Sequence, residues 1–206
     1  AGFIGSHLVR GLLAEGLSVR VLDNLSTGSN ENLAGLDVEF FENDLRDAGA
    51  VKAAVEGCDV VFHHAAVISV PVSMEDPLEC YQVNCEGSVS LFHAASQAEV
   101  QRVVMASSSA VYGEVEGEVV EDTPLQPQSP YASSKLAMEN AAFMFTRSFG
   151  LETVALRYFN VYGPRQSPDS PYAAAIPLFI RAMLDGKTPQ IFGDGEQTRS
   201  FVYVED

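Results

Sequence analysis

The chain has 206 residues, 47% of them apolar, and carries 28 acidic side chains against 12 Lys and Arg, for a net charge of −16. That apolar share suits a globular core, and the acidic balance is the reverse of what a general nucleic-acid binder requires. With no long apolar run and with Cys58, Cys80 and Cys85 forming no CxxC pair, the chain is expected to be a cytoplasmic protein with reduced thiols, no membrane span, no disulfide framework and no zinc site.

Apolar residues at Ile4, Leu8, Val9, Leu12 and Leu13 recur at helical spacing over residues 3–15. A short β-branched strand, LSVRVLD, follows and ends at Asp23, and VEFFEND predicts a second strand over Val38–Phe41. Residues 47–56 read as a helix, DVVFHHAA as a buried strand running into small residues, and 77–98 as one long helix. RVVMASSS is a strand ending in three serines, Pro130 stands ready for the first turn of a helix over 131–149, ETVALRYFN is the next strand, and 173–185 is a further helix. This alternation, with several strands apolar throughout, predicts an α/β fold in which a parallel sheet is covered on both faces. The Pro- and Gly-rich stretches 113–130 and 163–172 are loops at strand ends, where such sheets place their sites.

The opening AGFIG, with Gly2, Phe3, Ile4 and Gly5, heads the first helix. Glycines there let a backbone approach a pyrophosphate resting on the helix N-terminus, although an ordinary tight turn is the plainer alternative. Asp23 ends the next strand and is followed by Asn24 and Gly28 in the turn-rich DNLSTG. A carboxylate there accepts hydrogen bonds from ribose hydroxyls and repels a 2′-phosphate, which favours NAD over NADP; the alternative is a turn residue. Such a fingerprint begins on an earlier strand and glycine. The chain therefore reads as an internal stretch of a longer protein, a Rossmann-type doubly wound sheet whose first strand is missing.

Tyr131 and Lys135 in SPYASSK share a helix face, one turn apart. Before them stands VVMASSSAVYG; after them come LRYFNVYGPRQ and FGDGEQTRSFVYVED. Together these motifs resemble the extended short-chain dehydrogenase/reductase family in its NAD-dependent epimerase/dehydratase branch, along essentially the whole chain. The resemblance implies a catalytic acid/base at Tyr131, a lysine at Lys135 that binds the nicotinamide ribose and lowers the tyrosine pKa, and Ser108 hydrogen-bonding the reacting hydroxyl, with Ser107 and Ser109 as the alternatives. It implies cofactor contacts from Asp44 and Leu45 near the adenine, from Ala65, Ala66, Asn84 and Ser107, and from Tyr158 and Val161 near the nicotinamide. Asn160 and Arg199 would grip a nucleotide-sugar diphosphate, Phe192 would pack on its base and Ser69 would reach the sugar. His63 and His64 have no partner cluster and are expected to pack beside the cofactor, with no metal.

The implied organisation is an NAD-binding domain over 1–162 and part of a nucleotide-sugar-binding region over 163–206. The implied reaction is 4-epimerisation of a UDP-linked hexose through transient hydride transfer. Relatives that dehydrate or decarboxylate place an acid shortly after the catalytic Ser or Thr; here that position is Ala110. A dehydratase, decarboxylase or reductase of the same family is the runner-up, and a non-catalytic nucleotide-binding protein the reading from another class. SPYAAAIPLFI also resembles epimerases of UDP-hexoses. A homodimer through the helices 77–98 and 131–149 is expected, with Met138, Phe143, Met144 and Phe145 either at that interface or in the monomer core.

Overall fold

A computed structural model describes residues 1–168 and 174–206. Part of the loop expected at 163–172, the first residue of the helix expected at 173–185 and part of the tract SPYAAAIPLFI lie outside the described residues. The chain runs α1 (Phe3–Ala14), β1 (Val19–Asp23), β2 (Val38–Glu42), α2 (Ala48–Val55), β3 (Val60–His63), α3 (Val70–Glu75), α4 (Pro77–Tyr81), α5 (Ser88–Gln97), β4 (Arg102–Ser108), α6 (Pro130–Phe149), β5 (Glu152–Tyr158), β6 (Asn160–Tyr162), α7 (Ala175–Leu184) and β7 (Phe201–Tyr203).

All strand pairs are parallel: β1 with β2, β3 with β4, β4 with β5, and β6 with β7. β2-β1 and β3-β4-β5 are separately hydrogen-bonded sheets, joined by side-chain packing. Leu22 of β1 and Val61 of β3 pack on one core built from Val51 and Val55 of α2, Phe92 and Ala95 of α5, Val103 and Met105 of β4, and Met138 and Phe145 of α6. A second cluster, around Val9, Val21 and Leu33, holds α1 onto β1. This is the Rossmann-like α/β arrangement. Among the described residues no helix is long and apolar enough to cross a membrane.

One departure from the sequence reading shapes the site. Residues 77–98 are not one regular helix: a π-helical turn, Gln82–Gly87, separates α4 from α5. The wider turn accompanies an inward-facing Asn84, which is fully buried. Its Oδ1 accepts from Val67 N at 2.7 Å, and its Nδ2 donates to Val67 O and to Ser134 Oγ, each at 3.0 Å. Gly87 closes the same turn; a Cβ there would lie 2.9 Å from Leu45 Cδ2. Such π turns recur at functional sites. At the far end, β6, inside the expected 1–162 unit, pairs residue for residue with β7 of the expected 163–206 region.

The ends of α6 follow local rules. Ser129 Oγ accepts from Ala132 N, Pro130 occupies the first turn, and Gly150 closes the helix at φ 74°.

Because the buried Asn84 satisfies both backbone groups of half-buried Val67, Asn84→Ala is expected to cost about 2 to 4 kcal/mol in denaturant unfolding. A loss below roughly 1 kcal/mol would show that water or a neighbour replaces the amide.

Candidate active site

Three elements converge where β4 ends. Ser108 is the last residue of β4, and its Oγ accepts from Ala110 N at 3.2 Å, capping a short 3₁₀ turn over Ser109–Tyr112. Tyr131 lies in the first turn of α6, its N–H donating to Ser73 Oγ of α3 at 3.1 Å. One turn on, Lys135 is 3% exposed, and its ammonium donates to Ala106 O of β4 at 2.8 Å and lies 6.0 Å from the Tyr131 ring centre. The structure thus brings together the three residues singled out for catalysis.

Their electrostatics differ from the expectation. Burial raises the Tyr131 phenol above its ordinary pKa, and the adjacent Ser108 hydroxyl opposes that rise. Burial also pushes the Lys135 ammonium down to about 8. Removal from water is the largest influence on both groups. His63 is buried and kept neutral, its pKa pushed down to about 3 by burial and then by Lys135 and His64. Since Ser88 Oγ donates to Asn84 O, His63 Nε2 at 2.8 Å must donate to Ser88 Oγ. His64 stacks on Tyr158, with ring centres 5.9 Å apart. Among the described residues no group of three His, Cys, Asp or Glu side chains is placed to hold a metal.

Gly2 caps α1 without a side-chain hydrogen bond. A Cβ built on Gly2 or Gly5 meets nothing within 4 Å, so the helix N-terminus opens onto free space. Phe3 and Ile4, both half-buried, form the first turn of α1. Asp23 accepts from Leu25 N at 2.8 Å and stays 24% exposed. Gly28 packs on Ala1, 2.9 Å from its carbonyl carbon were a Cβ present. An open, amide-lined helix end beside a partly exposed carboxylate fits a dinucleotide's pyrophosphate and ribose. Ala65 is exposed and Ala66 half-buried past the end of β3, leaving room for a flat ligand.

Other expected cofactor residues are already engaged. Asp44 is held by Arg46 and Asn24, and the Arg46 guanidinium keeps its carboxyl well below the usual range. Leu45 is buried in the core against Gly87, and Asn84 holds Val67 as described. Ser107 is buried, and its hydroxyl donates to Glu139 Oε1. Val161 lies in β6, its carbonyl accepting from Gln166.

A cleft of about 380 Å³ lies beyond Ser108, lined by Ser109, Gly113, Val115, Asn160 and Arg199 among others. Asn160 donates to Ser200 O at 3.0 Å and Arg199 to Thr198 O at 2.7 Å. Gly113, at φ 71°, forms one wall; a Cβ there would meet Gln126 O at 2.1 Å, so the loop closes tightly on itself. Phe192 does not line this cleft and is 74% exposed. Ser69 caps α3 through Val72 N. The sequence reading passed over Ser73, which fixes Tyr131, and Glu139 and Arg157, which form an ion pair at 2.8 Å beside Ser107. Glu139, one turn beyond Lys135 on the same face, was the available signal.

Since burial holds the pKa of Lys135 near 8, below the ordinary lysine value of 10.5, folding disfavours its charged form. The cost is full below about pH 8 and fades as the pH climbs from 8 to 10.5. Lys135→Met should accordingly be more stable than wild type at pH 7, by on the order of 1 to 3 kcal/mol. Thermal unfolding of both proteins across that range should show the gap closing; a constant gap would mean that Lys135 is not buried as a cation.

The profile of the NAD dependent epimerase/dehydratase family matches residues 1–206. The chain is 43% identical to a UDP-glucose 4-epimerase of Mycolicibacterium smegmatis, over 100% of this chain and 68% of that protein. Among solved structures it resembles a UDP-N-acetylglucosamine 4-epimerase from Methanobrevibacter ruminantium in complex with UDP-N-acetylmuramic acid, with a TM-score of 0.95 and 46% identity over 99% of this chain and 66% of that one. It also resembles a UDP-glucose 4-epimerase from Thermus thermophilus in complex with NAD, with a TM-score of 0.92 and 45% identity over 100% and 68%. The chain spans about two thirds of each of them. Taken with the serine, tyrosine and lysine gathered at the end of β4, these matches show that the chain belongs to the NAD-dependent epimerase/dehydratase family and that its cofactor is NAD.

Proposed function

We propose that the protein is a nucleotide-sugar 4-epimerase acting on a UDP-linked hexose. The observation that carries this reading is the chemistry around Ser108: a tyrosine and a lysine beside it, and Ala110 where an eliminating enzyme needs an acid. The nearby Glu139 is held by Arg157 and by Ser107 and is not a free proton donor.

Gly2, Gly5 and Asp23 would hold the dinucleotide, with Lys135 at its nicotinamide ribose. Bound NAD supplies a reversible hydride acceptor. Ser108 donates a hydrogen bond to the sugar hydroxyl and orients it toward Tyr131, which removes the hydroxyl proton and later returns it. Because burial favours the protonated phenol, its ionisation relies on positive charge from Lys135 and from the oxidised nicotinamide. Asn160 and Arg199 face the cleft as an amide and a cation, suited to a diphosphate. The other reading within the family is a dehydratase, decarboxylase or reductase, and Ala110 argues against the first two. The non-catalytic reading must explain a lysine buried beside a tyrosine at an energetic cost.

A homodimer accompanies this proposal. Met138 and Phe145 are core residues, while Phe143 and Met144 are 62% and 42% exposed on α6 and offer an apolar surface to a second copy. Phe143→Asp should shift the sedimentation profile from dimer toward monomer; an unchanged profile would place the contact elsewhere.

The decisive assay incubates the protein with UDP-glucose or UDP-GlcNAc and separates the products. C4 inversion without change of mass is expected; loss of water or CO₂ would overturn the assignment. Tyr131→Phe should lower turnover by at least about a thousandfold while NAD affinity stays within about threefold.

A further inference from the structure

Beyond the serine, tyrosine and lysine, two charged side chains tied into the site are Glu139 and Arg157, to which the proposed chemistry gives no part. Glu139 is 10% exposed and lies on the face of α6 that carries Lys135. Its Oε1 accepts from Ser107 Oγ and, at 3.1 Å, from Arg157 Nε, while its Oε2 accepts from an Arg157 terminal nitrogen at 2.8 Å. The pair is thus bidentate, the geometry that fixes an arginine most firmly. Arg157 has a second set of contacts. Its other terminal nitrogen donates to Tyr112 Oη at 2.9 Å and to Glu121 O at 3.0 Å, and its guanidinium carbon lies 5.0 Å from the Tyr112 ring centre.

The consequence is geometric. Successive turns of α6 grip successive residues of β4: Lys135 takes Ala106 O, and Glu139 takes the Ser107 hydroxyl. Ser108 comes next, so the register between helix and strand sets the distance from its hydroxyl to Tyr131. On the other side, Arg157 holds both flanks of the loop that walls the cleft, through Tyr112 before Gly113 and through Glu121 beyond Val115 and Val119.

We propose that Glu139 and Arg157 are positioning residues, Glu139 holding the reacting hydroxyl's partner Ser108 in register with Tyr131 and Arg157 holding the cleft loop in its binding conformation. This rests on the epimerase reading for its kinetic test, but the placement itself can be read without turnover. The two residues should fail differently. Glu139→Gln keeps the shape and loses the charge that fixes Ser107 and Arg157. Arg157→Lys keeps a cation for Glu139 but loses the fork that reaches Tyr112 and Glu121.

The experiment compares wild type, Glu139→Gln, Arg157→Lys and the double variant Glu139→Gln/Arg157→Gln, which removes the unpaired arginine charge that Glu139→Gln leaves. Each is measured at a temperature at which all are folded, for kcat and KM with the UDP-sugar that wild type turns over, for NAD affinity, and for hydrogen exchange at residues 107–108 and 113–123. Expected are a fall in kcat of about ten- to a hundredfold with little change in KM for Glu139→Gln. Arg157→Lys should instead raise KM about tenfold with kcat within about twofold and speed exchange over 113–123. NAD affinity should hold in all, and the double variant should recover thermal stability without recovering activity. If the variants alter only the unfolding temperature, leaving kinetics and both exchange segments as in wild type, the positioning role is wrong and the pair is structural. If wild type turns over no UDP-sugar, the epimerase reading fails, and the exchange data alone then decide: faster exchange over 113–123 in Arg157→Lys and over 107–108 in Glu139→Gln upholds the placement, and unchanged exchange rejects it.

Discussion

A lysine ammonium taken out of water and set against a backbone carbonyl is the constraint around which this molecule is arranged. Burying a cation is costly, and the 2.8 Å bond from Lys135 to Ala106 O binds α6 to the central strand of its sheet at one fixed height. Around that contact the other polar groups of the interior fall into order. Asn84 ties the loop after β3 to Ser134 of α6, and Ser134 in turn donates to Tyr131 O at 2.8 Å. Ser73 holds the Tyr131 N–H. The tyrosine is thereby placed from three directions before any ligand arrives, which is the preorganisation that orientation-based catalysis needs.

Much of this was legible in the sequence because it obeys local rules. Ser129, Pro130 and Gly150 mark the ends of α6, and β-branched runs mark β1 and β4. The spacing of Ser108, Tyr131 and Lys135 marked three residues that the fold brings together. What escaped depends on partners distant in the chain. The apolar pattern over 77–98 continues unbroken through the π turn, whose cause lies in Asn84 meeting Val67 and in Gly87 meeting Leu45. β6 and β7 are three residues each, too short for alternation to register. Ser69 and Pro71 do carry the cap and first-turn signals of α3, and these were overlooked.

Protonation was the least legible property. Spacing places a lysine near a tyrosine, but only burial decides that the lysine's affinity for its proton falls and the phenol's rises. The same holds for residues assigned to ligands by pattern alone. Leu45, Ser107 and Asp44 stand at the positions a dinucleotide-binding protein would use, yet their side chains are taken up by the core, by Glu139 and by Arg46. A motif identifies a position; the hydrogen bonds already made there decide what the side chain has left to offer.

The stretch between Gly113 and Gln126 is pinned at both ends, by the close approach of Gly113 to Gln126 O and by Gln126 N donating to Val111 O at 3.0 Å. Between the pins, Glu114 to Glu118 are exposed and make few demands on the core. Lengthening a closed loop is cheap, about 0.6 kcal/mol for each doubling. Residues 114–118 therefore form an interchangeable rim: their number and side chains can change at little cost to the core beneath them.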